Sequence, residues 1–269
     1  MGLISFLLLN NGWEARFSPN ERIAFADFAE GPDYVPKRFD ALHGMPFPEL
    51  SSRRNILIIG DSFAQDLVNA LYEVDIFDEL NVSTYHISAK CGNLHIEDLT
   101  RYQLPEDVAG CGYNKGYSLP GLESRMALAD EIWLSSSWKL RSLPLLRESL
   151  GNIQEMTDTP LTVFSRKHFG KRSVSDYYEN GLESLLGQKL VPEDLAEVQR
   201  LMHREIPEDV RFIDIQDLMC GDHEQCANLD INGRPLTFDG SHLTRYGAAF
   251  LGQRLKPFLD ASARAVDGS

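Results

Sequence analysis

The sequence predicts an α/β fold, a three-layer α/β/α sandwich around a mainly parallel, five-stranded sheet. Three observations lead there. First, the apolar run Ile56 to Ile59 passes straight into Gly60-Asp61-Ser62, and Leu67, Val68 and Leu71 then fall at helical spacing. A short apolar run bounded by glycine reads as a strand buried on both faces, as in a parallel sheet covered by helices. Second, short strand-like runs recur at 82–87, 131–134, 161–164 and 210–215, with helical patterns among them. Third, 269 residues suffice for one large α/β domain, or for one domain with an appendage.

The elements follow in chain order. Gly2 to Leu9 is apolar but too short to cross a bilayer, which needs about 20 residues. It reads either as a buried terminal strand or helix, or as the end of a membrane helix. Trp13 and Arg16 would form an interfacial exit and favour the second reading. Ser18-Pro19-Asn20-Glu21 is a capping box that should start a helix over 19–29. With Pro32, Pro36, Pro46 and Pro48, residues 31–54 read as an extended linker over the domain. The chain thus divides into an extension, 1–50, and a main domain, 51–262. Ser88 to Pro120 is a long loop rich in Gly, Asn and Cys, and loops of that length are functional or disordered. Helices are expected at 122–129, at 141–157 with Pro144 in the first turn, at 193–204 and at 243–255.

A formal net charge of −14 argues against nucleic acid as a partner and against anionic lipid headgroups. The four cysteines admit three readings. They are reduced thiols, or a zinc site of Cys220, His223 and Cys226, or two disulfides in an oxidising compartment. Structural zinc takes four ligands in paired knuckles, and no second such pair exists, so no metal is expected. Disulfides are the preferred reading: a Cys91–Cys111 bond would hold the long loop, and Cys220 and Cys226 bracket GDHEQ.

The chemistry concentrates at two distant stretches. Ser62 sits where a strand turns into a helix, beside N–H groups with no helical partner and near the positive end of the helix dipole. That setting suits a nucleophile and the oxyanion it creates; a plain helix cap is the rival reading. Near the carboxyl end, TFDGSHLTRYGAAFL places Asp239 and His242 three residues apart. A carboxylate there can hold one imidazole nitrogen and leave the other free as a base. Position 64 is Ala, so the motif is not a G-x-S-x-G elbow.

G-D-S after the first strand, paired with D-x-x-H near the end, resembles the SGNH/GDSL hydrolase superfamily. The resemblance implies a flavodoxin-like sheet and a triad of Ser62, Asp239 and His242. It also implies an oxyanion hole made by the N–H groups of Ser62 and Gly92; the rival for Gly92 is an ordinary turn glycine. The superfamily's asparagine after the third strand is missing, since Ser135-Ser136-Ser137-Trp138-Lys139 stands there. Trp138 is either a platform on which substrate stacks, or core or the wall of a pocket, and it joins Arg166 and Lys167 as a candidate substrate contact. Arg166, Lys167, His168, Lys171 and Arg172 form a basic cluster, either a rim for an anionic sugar or a solvated loop. The tryptophan in the asparagine's region, the bracketed cysteines before DGSHLTRYGA and the apolar start resemble SGNH domains fused behind acyltransferase-3 membrane domains. That likeness implies transfer of acetyl to a hydroxyl of a bacterial polysaccharide or lipopolysaccharide through an acyl-serine. The acetyl would come from acetyl-CoA by way of the membrane domain, in cis or in trans, with no cofactor held directly. The site would face the periplasm, tethered by upstream membrane helices. A free-standing carbohydrate acetylesterase and a non-catalytic sugar-binding module stay open as alternatives.

Overall fold

The computed structural model describes residues 17–111, 116–118, 121–190, 194–221 and 225–266. The expected membrane exit at 2–16 and the zinc candidate His223 lie outside them. Among the described residues no helix is long and apolar enough to cross a membrane.

Among the described residues the first element is α1 (Pro19–Ala41), capped by Ser18, whose hydroxyl accepts from the Glu21 N–H while the Glu21 carboxylate accepts from the Ser18 N–H. Then follow β1 (Arg54–Gly60), α2 (Ser62–Tyr72), β2 (Leu80–His86), α3 (Pro105–Cys111), α4 (Leu122–Leu128) and β3 (Glu131–Ser135). The second half holds α5 (Leu146–Met156), β4 (Leu161–Phe164), α6 (Val174–Asn180), α7 (Leu182–Leu185), β5 (Lys189–Leu190) and α8 (Leu195–Glu205). Last come β6 (Arg211–Ile213), α9 (Ile215–Cys220), β7 (Cys226–Ala227) and α10 (Arg245–Val266).

Five strands form one sheet in the order β2-β1-β3-β4-β6, and every pairing in it is parallel. Alternation along the strands gives the sheet two apolar faces. Leu57, Ile59, Ile132, Leu134 and Val163 face a core closed by Met126 of α4, Leu146, Leu150 and Ile153 of α5 and Met202 of α8. Ile56, Ile58, Trp133 and Phe164 face the opposite core, closed by α1, α2, α9 and α10. The sandwich is therefore three-layered. The strand order reverses between β1 and β3, and open sheets of this kind bind ligands beyond the strand ends at that point.

The expected linker over 31–54 is corrected in its first part: α1 continues through Pro32 and Pro36 to Ala41. Both prolines lie toward the outside, Pro32 exposed and Pro36 half-buried. Each removes one helical hydrogen bond, and on that side water can take the released carbonyl. The inner face supplies the compensation, burying Phe28, Tyr34, Val35 and Phe39. Asn69 of α2 donates to the Tyr34 and Val35 carbonyls at 3.3 and 3.1 Å, fastening α1 to α2. Two further differences are local. β5 and β7 pair as a two-stranded antiparallel ribbon, which no sequence periodicity marks because each run is only two residues long. The long loop after β2 contains α3 and short 3-10 turns at Leu99–Arg101 and Gly116–Ser118. Both disulfides are formed, Cys91–Cys111 and Cys220–Cys226, with Cα separations of 5.3 and 5.0 Å.

Candidate active site

The turn after β1 places the first group. Asp61, not Ser62, caps α2: its carboxylate accepts from the Phe63 N–H at 2.9 Å. Ser62 is thereby the first helical residue, and its side chain is released from capping duty. Asp61 is buried and also accepts from the Ser136 hydroxyl at 2.6 Å and the Ser137 N–H at 2.9 Å. One carboxylate thus joins the serine turn to the end of β3.

The stretch before α10 delivers the other two. His242 Nε2 lies 2.8 Å from Ser62 Oγ, across 180 residues of chain. His242 Nδ1 lies 2.6 Å from Asp239 Oδ2, while Asp239 Oδ1 accepts from the N–H groups of Ser241 and His242. The turn is held from beneath by Thr237, whose hydroxyl donates to the His242 carbonyl at 2.7 Å and accepts from the Gly240 N–H at 2.9 Å. At Gly240, with φ +84°, a Cβ would stand 2.1 Å from the Gly170 carbonyl oxygen, so only glycine lets the turn dock there. Phe238 stacks on the imidazole at 5.8 Å and Phe63 meets it edge-on at 6.2 Å.

The electrostatics suit a base. Burial works to lower the pKa of His242, but the hydrogen bond to Asp239 and the charges of Asp66 and Asp239 outweigh it and raise it above the ordinary imidazole value. Burial works to raise Asp239, and its bonds to His242 and the two N–H groups reverse that and leave it below the usual carboxylate range. An imidazole so held has one nitrogen fixed by a carboxylate and the other aimed at a hydroxyl, which is the geometry that removes a proton from an attacking oxygen.

Gly92 has φ +68°, and a Cβ there would meet the Tyr102 ring at 2.4 Å. Among the described residues, neither the Ser62 nor the Gly92 N–H meets an acceptor. No asparagine stands after β3. Asn93, the residue after Gly92, is buried, donates to the Ile59 carbonyl at 3.1 Å and accepts from the Tyr117 hydroxyl at 2.7 Å. Ser137 Oγ accepts from Lys139 Nζ at 3.0 Å. Of the three candidate substrate contacts, Trp138 takes its core reading, and the rim expected of Arg166 and Lys167 is corrected. Trp138 is 2% exposed, and its indole N–H donates to the Phe164 carbonyl, so it is core. Lys167 is 1% exposed and pairs with Asp66, and Arg166 is buried beside Asp194. The sequence showed their charge but not that strand β4 would deliver them inward, so neither forms a rim. Among the described residues no cluster of metal-binding side chains occurs.

Beside Gly92 opens a cavity of about 600 Å³, lined by Leu94, His95, Glu97, Tyr117 and Asn152 among others. Neither its volume nor its lining was legible in the sequence, because α5 contributes Asn152 from 60 residues away.

The sheet order, the two helical layers and the serine turn at the switch point make a three-layer α/β/α domain whose site lies where open parallel sheets bind ligands. Residues 189–257, which contain Asp239 and His242, match the family described as the SGNH domain fused to AT3 domains. The fold is similar to that of the periplasmic domain of a lipopolysaccharide acetyltransferase from Salmonella ser. Paratyphi A. That likeness has a TM-score of 0.58 and 17% identity, covering 87% of this chain and 99% of that one. Slighter likenesses join it to a possible lipase from Chitinophaga pinensis (TM-score 0.40, 12% identity, 78% and 98% covered). A third is the carboxyl-terminal catalytic domain of peptidoglycan O-acetyltransferase A from Streptococcus pneumoniae (TM-score 0.36, 11% identity, 79% and 96% covered). No curated protein matches the sequence.

Proposed function

We propose that this domain transfers an acyl group, acetyl in the first place, to a hydroxyl of a bacterial cell-surface polysaccharide or lipopolysaccharide. The observation that carries the reading is the unbroken line Asp239–His242–Ser62, at 2.6 and 2.8 Å. Ser62 Oγ attacks the acyl carbonyl carbon while His242 Nε2 takes its proton. Asp239 holds the tautomer and stabilises the imidazolium. The negative oxygen of the tetrahedral intermediate is received by the N–H groups of Ser62 and Gly92. Collapse expels the donor's alkoxide, which leaves with the proton from His242, and an acyl-serine remains. The acceptor hydroxyl then gives its proton to His242 and attacks the ester, returning Ser62 to its starting state.

The cavity beside Gly92 supports a glycan acceptor. Its apolar wall of Ile87, Leu94 and Ile96 suits the CH face of a sugar, and His95, Glu97 and Asn152 stand where hydroxyls need partners. The match to a family fused to AT3 domains supports an acyl supply from a membrane acyltransferase domain, in cis or in trans, fed by acetyl-CoA. Two disulfides fit a periplasmic site. Missing the side-chain amide, the site would rely on backbone donors for the oxyanion.

The test is an assay with an acetylated donor, with and without an added acceptor glycan, followed by mass spectrometry of the glycan. Acetyl should appear on the acceptor with the natural chain and not with Ser62→Ala. Release of free acetate at the same rate whether or not acceptor is present would replace transfer by esterase activity. Glycan binding with no acyl turnover at all would leave a binding module.

A further inference from the structure

Two buried charges near the site have no part in the chemistry above. Asp66 lies one turn beyond Ser62 on α2 and is completely buried, and Lys167, after β4, is 1% exposed. Their charges meet at 2.7 Å between Asp66 Oδ2 and Lys167 Nζ. The same carboxylate accepts from the Leu243 N–H at 3.3 Å to each oxygen. Leu243 is the residue next to His242. The ammonium of Lys167 also stands 3.8 Å over the ring of Phe63, the residue next to Ser62.

We propose that Asp66 and Lys167 are positioning residues, a buried ion pair that clamps the histidine-bearing turn to the serine-bearing helix. Asp66 is covalently fixed to Ser62 through one helical turn. Its bond to Leu243 closes a ring through His242 Nε2 and Ser62 Oγ, so the 2.8 Å contact is set by a rigid path on both sides. Burial pushes the Asp66 carboxyl above its usual range, and the Lys167 ammonium is the first charge to oppose that push, since an unpaired buried charge is strongly disfavoured. Its stem delivers β4 to the same point, so three segments far apart in sequence share one junction. A pair kept merely for stability would be a poor choice, because a well-packed apolar pair of the same size is commonly as stable or more so.

The groups that face His242 are Asp239 on its own turn, Asp66 on α2 and Lys167 after β4; His168 faces Asp239 from the same loop as Lys167. The pull of Asp66 on the imidazolium exceeds the push of Lys167. Removing both charges should therefore move the acid limb of activity to lower pH.

This inference rests on the Ser62–His242 reading, and the experiment separates the two. The rate at which a serine-directed fluorophosphonate labels Ser62 is followed against pH in the full chain. Three proteins are compared: the natural one, Asp66→Asn with Lys167→Met, and Asp66→Leu with Lys167→Met. The Asn form keeps an acceptor for the Leu243 N–H without the charges, and the Leu form loses both. The Leu form should label at least about tenfold more slowly than the Asn form at the pH plateau, because small misplacements of reacting groups cost that much and more. Equal plateau rates would overturn the clamp. Should the Leu form fail to fold, Asp66→Ala with Lys167→Met, which also lacks an acceptor for the Leu243 N–H, takes its place: a plateau rate at least about tenfold below that of the Asn form supports the proposal, and an equal rate overturns it. Failure of the natural chain to label would remove the Ser62–His242 reading instead.

Discussion

At the scale of single residues the domain rests on groups whose neighbours leave them few alternatives. Ser62 is relieved of helix capping by Asp61, so its hydroxyl is available to His242. Ser62→Ala should lower turnover by at least about 10³, with the unfolding midpoint in urea unchanged. Activity equal to the natural protein's would remove the nucleophile. The raised His242 makes the sign of the pH dependence definite. The base works only when neutral, so activity should climb as pH rises through a value above the ordinary imidazole figure of about 6.5. Asp239→Asn removes a carboxylate that favours the protonated ring and permits the wrong tautomer. Its limb should move to lower pH while kcat falls by about 10³–10⁴. A limb that stays in place would show that Asp239 does not set the charge on His242. Gly92 is constrained twice, by its φ of +68° and by the Tyr102 ring. Gly92→Ala must displace one or the other, and a loss of about 10² in kcat is expected if its N–H holds the oxyanion. A thermal melt of the same variant separates that loss from general unfolding.

Among elements, α1 changes most between what periodicity suggests and what the fold contains. Prolines normally end helices, and two of them spaced by four argued for a linker. Four apart, however, both fall on one side of a helix, and that side is the outer one. Burial of Phe39 (0% exposed) among α2 and the sheet face makes α1 part of the core. Phe39→Ala should cost about 3–5 kcal/mol in urea unfolding, a loss no surface linker would show. The disulfides act on elements too. Replacing Cys91 and Cys111 by serine releases a loop of 20 residues' separation and should cost about 3 kcal/mol, against about 2 for the shorter Cys220–Cys226 loop. The first pair also steadies Gly92, so its removal should lower turnover as well as stability, while removal of the second should act on stability alone.

For the whole molecule, a parallel sheet with its order reversed between β1 and β3 brings Ser62 and the Asp239–His242 turn together beyond its strand ends. The overall charge of −14 bears on partners rather than fold. The protein should pass through immobilised DNA at physiological salt and be retained by an anion exchanger. Retention on DNA at that salt would overturn the exclusion of nucleic acid drawn from the net charge.

Local sequence carries whatever depends on near neighbours. The continuous run Ile56–Ile59 announced a strand buried on both faces, the S-P-N-E box announced the start of α1, and G-D-S with D-x-x-H announced a serine, a carboxylate and an imidazole suited to one another. Each is a property of a few adjacent residues, so no partner is needed to see it. Packing alone settled the inward course of Lys167 and Trp138, the persistence of α1 through two prolines, and the junction of Asp66 with Leu243. Burial and pairing are made by segments far apart in the chain, and a charge or an indole has the same spelling whether it ends in water or in a core.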